Sequence, residues 1–205
     1  MFEKEVREKL ECMRIDSERY YTDLLNKFGE QATVFNEIVK HFNTSKKVGD
    51  HSEFNNFWQS KYPNISTDTE LFNFSYELYN NLKRFYEGGV FELFKRKQAE
   101  WGAPEITILE SDVPQHSNDK DALNDIQTIY RGLDPLEHEG KDYYQSWTTC
   151  KDKATEFAKT TYSHKPSGIV VKSSIKRKDI LYYDKNDTEK EVIVKKGVIK
   201  CAIKI

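Results

Sequence analysis

The chain has 205 residues, 37% hydrophobic and 13% aromatic, which is enough to bury a core and excludes wholesale disorder. Its formal net charge of −2 gives no global preference for anionic or cationic partners. The charge is uneven, however: from Lys165 to Ile205 there are eleven basic and five acidic residues, so +6 lies there and −8 elsewhere. Such a basic C-terminal lobe suits an anionic ligand, a dinucleotide or a nucleic acid, and equally a solvated lysine-rich sheet surface.

In chain order, the N-terminus is charged from its third residue and has no apolar stretch like that of a signal peptide. No later run approaches membrane-spanning length, so a soluble, cytoplasmic protein is expected. Residues 1–28 place Phe2, Val6, Leu10, Met13, Leu24, Leu25 and Phe28 at mostly helical steps, predicting one amphipathic helix ended by Gly29. A second helix is predicted over about 30–43, carrying Ala32, Phe35, Ile38, Val39 and Phe42, followed by a polar loop from Asn43 to Ser52. Phe54, Phe57 and Trp58 fit a short third helix closed by Tyr62-Pro63-Asn64. Ser66 to Glu70 supply N-cap chemistry for a fourth, with Leu71, Phe74, Leu78, Leu82 and Phe85 on one stripe. Gly88-Gly89 interrupts it, and Val90 to Ala99 resumes as helix until Gly102 and Pro104. His41, His51 and the aromatic stripes of this half read as core or core-edge residues, with no constellation that carries chemistry.

After Pro104 the periodicity changes. Ile106 to Leu109 reads as a strand, Ser111 to Lys120 as a polar loop and Asp121 to Asp125 as a helical turn. Strands follow at about 127–132 and 144–149, then a helix at 151–162 with Ala154, Phe157 and Ala158 inward. Further strands are read at 168–175, 180–183, 189–194 and 197–204. The expectation is an α+β protein: an all-helical lobe over 1–103 that binds substrate or a partner, and a mixed β-sheet catalytic domain over 104–205. Cys12, Cys150 and Cys201 form no CxxC pair, so neither a disulfide framework nor a zinc site is indicated.

Three segments of the second half carry candidate chemistry. In Gln127-Thr-Ile-Tyr-Arg-Gly132 a charged residue sits within a strand-like run, where it needs a partner or solvent. Ser146 and Thr148 project to one face of the next strand, and Trp147 to the opposite, core-facing side. Phe157 follows on a helix, from which it either joins the core or turns to a cleft. Near the C-terminus, Glu189 and Glu191 open a strand and, two apart, point the same way. An isolated pair of this kind also fits a solvated strand opening.

An arginine strand, a Ser-x-Thr strand and a Glu-x-Glu motif, in this order, resemble the Arg–Ser–Glu class of mono-ADP-ribosyltransferases, over roughly residues 125–200. The short Arg131-to-Ser146 spacing is similar to compact bacterial and phage members rather than secreted toxins. The resemblance implies that NAD is the substrate, with no metal. It implies that Tyr130, Arg131, Gly132, Ser146, Thr148 and Phe157 bind NAD: Arg131 on the phosphates, the Gly132 backbone on the nicotinamide amide, Phe157 on its ring. Glu191, Glu189, Arg131 and Ser146 would form the catalytic set, Glu191 stabilising the ribose cation and Glu189 orienting or deprotonating the acceptor, with Tyr182, Tyr183 and the turn at 184–188 touching the acceptor.

A glutamate at the first position accompanies arginine acceptors in that family, so a protein arginine is the leading acceptor. Single-stranded RNA is the alternative, with the basic lobe and Tyr130, Tyr143, Tyr144, Tyr162, Tyr182 and Tyr183 as charge and stacking surface. The family context is a toxin–antitoxin or phage-conflict effector, with an antitoxin as a possible partner. A non-catalytic binding module and simple NAD glycohydrolysis are the rival readings.

Overall fold

A computed structural model describes residues 1–44, 51–96, 100–160 and 168–205. Of the elements predicted from sequence, loop positions 45–50, positions 97–99 and 161–162 of the two predicted helices, and Tyr162 lie outside the described residues. The protein is α+β: among the described residues there are seven α-helices and one six-stranded sheet. The chain divides into two compact units, Met1–Thr107 and Ile108–Ile205.

The first unit is helical. Its opening stretch is two helices rather than one, α1 (Lys4–Cys12) and α2 (Ser17–Phe28). Arg14 takes a left-handed φ of 59° between them, and the Asp16 carboxylate restarts the helix by accepting the Arg19 N–H at 3.0 Å. The apolar spacing continues through the break, which is why the sequence reads as a single helix. A short 3₁₀ turn leads into α3 (Val34–Thr44), followed by α4 (His51–Lys61) and α5 (Glu70–Phe94). Thr69 caps α5 by accepting the Phe72 N–H, and Gly88 and Gly89 leave helical geometry and kink it. The aromatic stripes form the core: Phe35, Phe54, Trp58 and Tyr79 are each fully buried. His41 stacks on Phe57 at 4.0 Å between ring centroids, and burial lowers its pKa.

The second unit is built on the sheet. In chain order its strands are β1 (Ile126–Leu133), β2 (Ser146–Thr148), β3 (Ile169–Lys176), β4 (Ile180–Tyr183), β5 (Glu191–Val194) and β6 (Ile203–Lys204). They lie in the order β4-β5-β2-β1-β3-β6, and every pairing is antiparallel, so the sheet is not mixed. Helix α6 (Pro135–Gly140) sits between β1 and β2 in the chain, and α7 (Lys151–Thr160) follows β2.

Several predicted strands are shorter than their β-rich sequence implies. Ile106 to Leu109 is extended but pairs with no strand; instead the Ile108 N–H and C=O bond the side-chain amide of buried Gln145, at 2.9 and 3.0 Å. Residues 197–204 contribute only the two-residue β6. Asp121 to Asp125 holds the end of a 3₁₀ turn at Lys120–Ala122 rather than a helical turn.

One face of the sheet carries the apolar core, with Ile129, Leu133, Trp147, Val171, Ile175, Val192 and Val194 meeting Tyr143, Ile180 and Ile199. Strand alternation puts Tyr130, Gly132, Thr148 and Glu191 on the other face. Helix α7 lies against that face through glycine. A Cβ on Gly132 would stand 2.2 Å from the Ala154 carbonyl oxygen and 2.5 Å from the Ala158 nitrogen. A Cβ on Gly168 would stand 2.1 Å from the Ala158 carbonyl oxygen. Gly132 is therefore needed for the approach of a helix, and the close ligand approach expected of it is not what fills its Cβ position. Gly132→Ala is expected to destabilise the fold by about 1–3 kcal/mol through overpacking against backbone atoms that cannot yield, measured by denaturant unfolding.

Candidate active site

A cleft of about 140 Å³ opens where β1, β2, α7 and the start of β5 converge. One water needs roughly 10–15 Å³, so this is ligand-sized space rather than a hydration site. Tyr130, Arg131, Gly132, Ser146, Thr148, Phe157, Glu189 and Glu191 line it, together with Trp147. The side chains of Tyr182 and Tyr183 are placed elsewhere. Tyr182 is buried, and Tyr183 is half-buried against the apolar core; neither lines the cleft.

The centre of the cleft is the contact between β2 and β5. Ser146 Oγ donates to Glu191 Oε1 at 2.5 Å, and Thr148 and Glu191 are register partners across the two strands. Thr148 is buried and committed to the backbone. Its hydroxyl donates to the Glu189 carbonyl at 2.7 Å and accepts the Cys150 N–H at 3.0 Å, which ties the glutamate turn to the start of α7. Trp147 points to the core side, as alternation requires, and its indole N–H donates to the Tyr144 carbonyl. Phe157 is half-buried and turns a flat apolar face to the cleft, while Ala154 and Ala158 supply the helix's packing.

Arg131 lies on the core side of β1, in phase with Ile129 and Leu133, and its charge is matched there. Glu137 accepts Nε at 2.8 Å and Nη2 at 3.1 Å, a bidentate pair with side-chain exposures of 11% and 6%. Nη1 donates to the Ser146 carbonyl at 2.5 Å, and the guanidinium lies 5.2 Å from the Tyr144 ring centroid. Glu137 also accepts the Tyr144 N–H at 3.0 Å. Its position follows from local sequence: Asp134 caps α6 by accepting the Leu136 N–H, and Pro135 begins the helix with its preset φ. The result is a relay from Glu137 through Arg131 and Ser146 to Glu191.

Glu189 and Glu191 reach the same cleft by a turn rather than by strand alternation. The strand begins only at Glu191, and Lys190 between them has a left-handed φ of 52°. Left-handed backbone is uncommon for a residue with a Cβ and persists where its surroundings hold it. Asp187 provides the hold: its two carboxylate oxygens accept the Glu189 N–H at 3.2 Å and the Glu191 N–H at 3.0 Å. Lys190 Nζ closes the turn on the Lys185 carbonyl, and Thr149 N–H bonds the Lys190 carbonyl. Farther back, Asn118 bonds both the Leu181 carbonyl and the Tyr183 N–H, pinning the outer edge of β4 that leads into the turn.

Asp187 and Glu137 are the two residues that the motif reading missed. Asp187 was legible as turn chemistry, from the Asp-Lys-Asn-Asp run before the glutamates. Glu137 carried no signal, because the turn between β1 and α6 that folds it back onto Arg131 is set by tertiary packing. No metal-ligating cluster occurs among the described residues. No helix there is long and apolar enough to cross a membrane. No protein-family model, curated protein or solved structure matches the chain.

Two outcomes follow from these contacts. Glu137→Gln leaves the Arg131 charge buried and unmatched, and is expected to cost about 3–5 kcal/mol in unfolding free energy. Asp187→Ala is expected to speed amide hydrogen exchange at Glu189 and Glu191 while leaving exchange in β1 and β3 unchanged, since only the turn loses its anchor.

Proposed function

We propose that this protein is a mono-ADP-ribosyltransferase that cleaves NAD and passes ADP-ribose to a macromolecular acceptor, with a protein arginine the leading choice. The observation that carries the reading is the Ser146–Glu191 contact inside a cleft that also holds Glu189 and Phe157. A serine donating to one carboxylate oxygen orients the group, and a half-buried aromatic face offers a planar ring a stacking surface. Arg131 supports the site by holding the Ser146 carbonyl, which keeps β2 in place beneath Glu191.

In this scheme the bond between nicotinamide nitrogen and ribose C1′ breaks, and its electron pair leaves with nicotinamide. The ribose becomes an oxocarbenium ion, whose positive charge the Glu191 carboxylate stabilises, as carboxylates do in glycoside cleavage. The acceptor nitrogen attacks C1′, and Glu189 takes the proton that the nitrogen loses. The charge of the cleft favours a cationic acceptor. Glu189 and Glu191 both face it, and among the described lining residues the cation Arg131 is matched by Glu137, while Lys153 nearby pairs with Glu156. A guanidinium is drawn to such a site, and an RNA strand is repelled by it. The family context of an intracellular effector paired with an antitoxin belongs to the same proposal.

The test is incubation of purified protein with adenylate-labelled NAD and whole-cell lysate, followed by separation of protein and RNA. Label in the protein fraction is expected, reduced about 10²–10³-fold in Glu191→Gln. Glu189→Gln is expected to lose transfer to protein while still releasing nicotinamide. Label in RNA would name the other acceptor, free ADP-ribose alone would mean water is the acceptor, and intact NAD with no label would leave a binding module.

A further inference from the structure

The Arg131–Glu137 pair raises a question of charge. A dinucleotide's pyrophosphate carries two negative charges and needs cationic or N–H donors. Three of the five guanidinium donors of Arg131 are engaged, and Glu137 neutralises its charge. A phosphate brought to Arg131 would have to displace that buried carboxylate or share the guanidinium with it.

The sheet register shows another cation. Glu191 is the partner of Thr148, Thr148 of Tyr130, and Tyr130 of Lys172. These four residues form one cross-strand row over β5, β2, β1 and β3, on the face opposite the apolar core. Lys172 stands at the far end of the row from Glu191, three strand spacings or roughly 14 Å away. Helix α7 does not cover it, because the helix sits over Gly132 and Gly168, farther along the strands. Lys172 is exposed and forms no ion pair with a described residue. Two lysines near the glutamate turn are engaged otherwise: Lys153 on α7 pairs with Glu156 at 2.9 Å, and Lys190 bonds the Lys185 carbonyl.

We propose that Lys172 is the phosphate anchor of this site. A dinucleotide whose reacting ribose meets Glu191 then runs along the row, over the Tyr130 ring, to a pyrophosphate held by the Lys172 ammonium. A lysine suits the task as a compact charge on a flexible stem that spans the last strand spacing. Glu191 and Lys172 thus divide the ligand between them. The carboxylate serves the end where positive charge develops, and the ammonium serves the end where negative charge is permanent. The assignment rests on the transferase reading, because it takes the dinucleotide as the ligand.

The test uses the full chain and an NAD analogue whose ribose ring oxygen is replaced by methylene, which cannot form the oxocarbenium ion and so is not consumed. Its affinity is measured by equilibrium titration across a salt series for wild type, Lys172→Ala and Lys172→Arg. Lys172→Ala is expected to bind about tenfold more weakly, with a shallower salt dependence, and Lys172→Arg to keep both. Because the side chain is exposed, the melting temperatures of all three should coincide. Equal affinity in Lys172→Ala, or weaker binding with the salt dependence unchanged, overturns the anchor while the transferase reading stands. A wild type that binds no analogue overturns both.

Discussion

The geometry of the second unit depends on a buried ion pair that joins two elements adjacent in the chain but separated by a turn. Arg131 sits mid-strand on the apolar face of β1, a position that is costly for a charge unless it is matched. Glu137 matches it from α6, and the same carboxylate accepts the Tyr144 N–H as the chain returns toward β2. The guanidinium's remaining reach goes to the Ser146 carbonyl. A pair of this kind adds little net stability, because desolvation offsets the attraction. What it contributes is position: the start of β2 has one place to be, and Ser146 delivers its hydroxyl to Glu191 from that place.

The other side of the cleft is set by backbone devices. Two glycines let α7 come within backbone contact of β1 and β3, which brings Phe157 over the sheet beside Tyr130. Asp187 spans the two glutamate N–H groups and holds Lys190 in a left-handed conformation. The two carboxylates therefore converge from a turn whose strain is balanced by the hydrogen bonds around it. The proposed chemistry needs this: one carboxylate close to the developing cation, and a second at the mouth, where an acceptor arrives. In the proposed complex, the row that continues from Glu191 to Lys172 would extend the same face to the permanent charge of a dinucleotide.

Most of the helical unit was legible because its elements are announced locally. The stripes of α3 and α5, the Thr69 cap and the Gly88-Gly89 kink are all one-turn signals. The failure at residues 13–16 has the same origin, since apolar spacing can continue through a break that a left-handed Arg14 and an Asp16 cap impose. Strand lengths were less legible. The sequence at 106–109 is as β-rich as that of β3, yet pairing depends on which neighbour is present, and Gln145 takes hydrogen bonds a strand would have used at Ile108.

By itself the sequence determined which residue types the cleft would hold, and in what order: Tyr130, Arg131 and Gly132, then Ser146 and Thr148, then Phe157, then Glu189 and Glu191 all line one pocket. It determined this because motif order is a property of short segments. Only the tertiary structure decided what each residue touches. Arg131 meets Glu137, Thr148 meets the Glu189 carbonyl, Gly132 meets a helix backbone, and Tyr182 is buried. Those outcomes depend on antiparallel register between strands far apart in the chain and on how closely α7 approaches the sheet. No local pattern encodes the register or that distance, since both are settled by the packing of the whole unit.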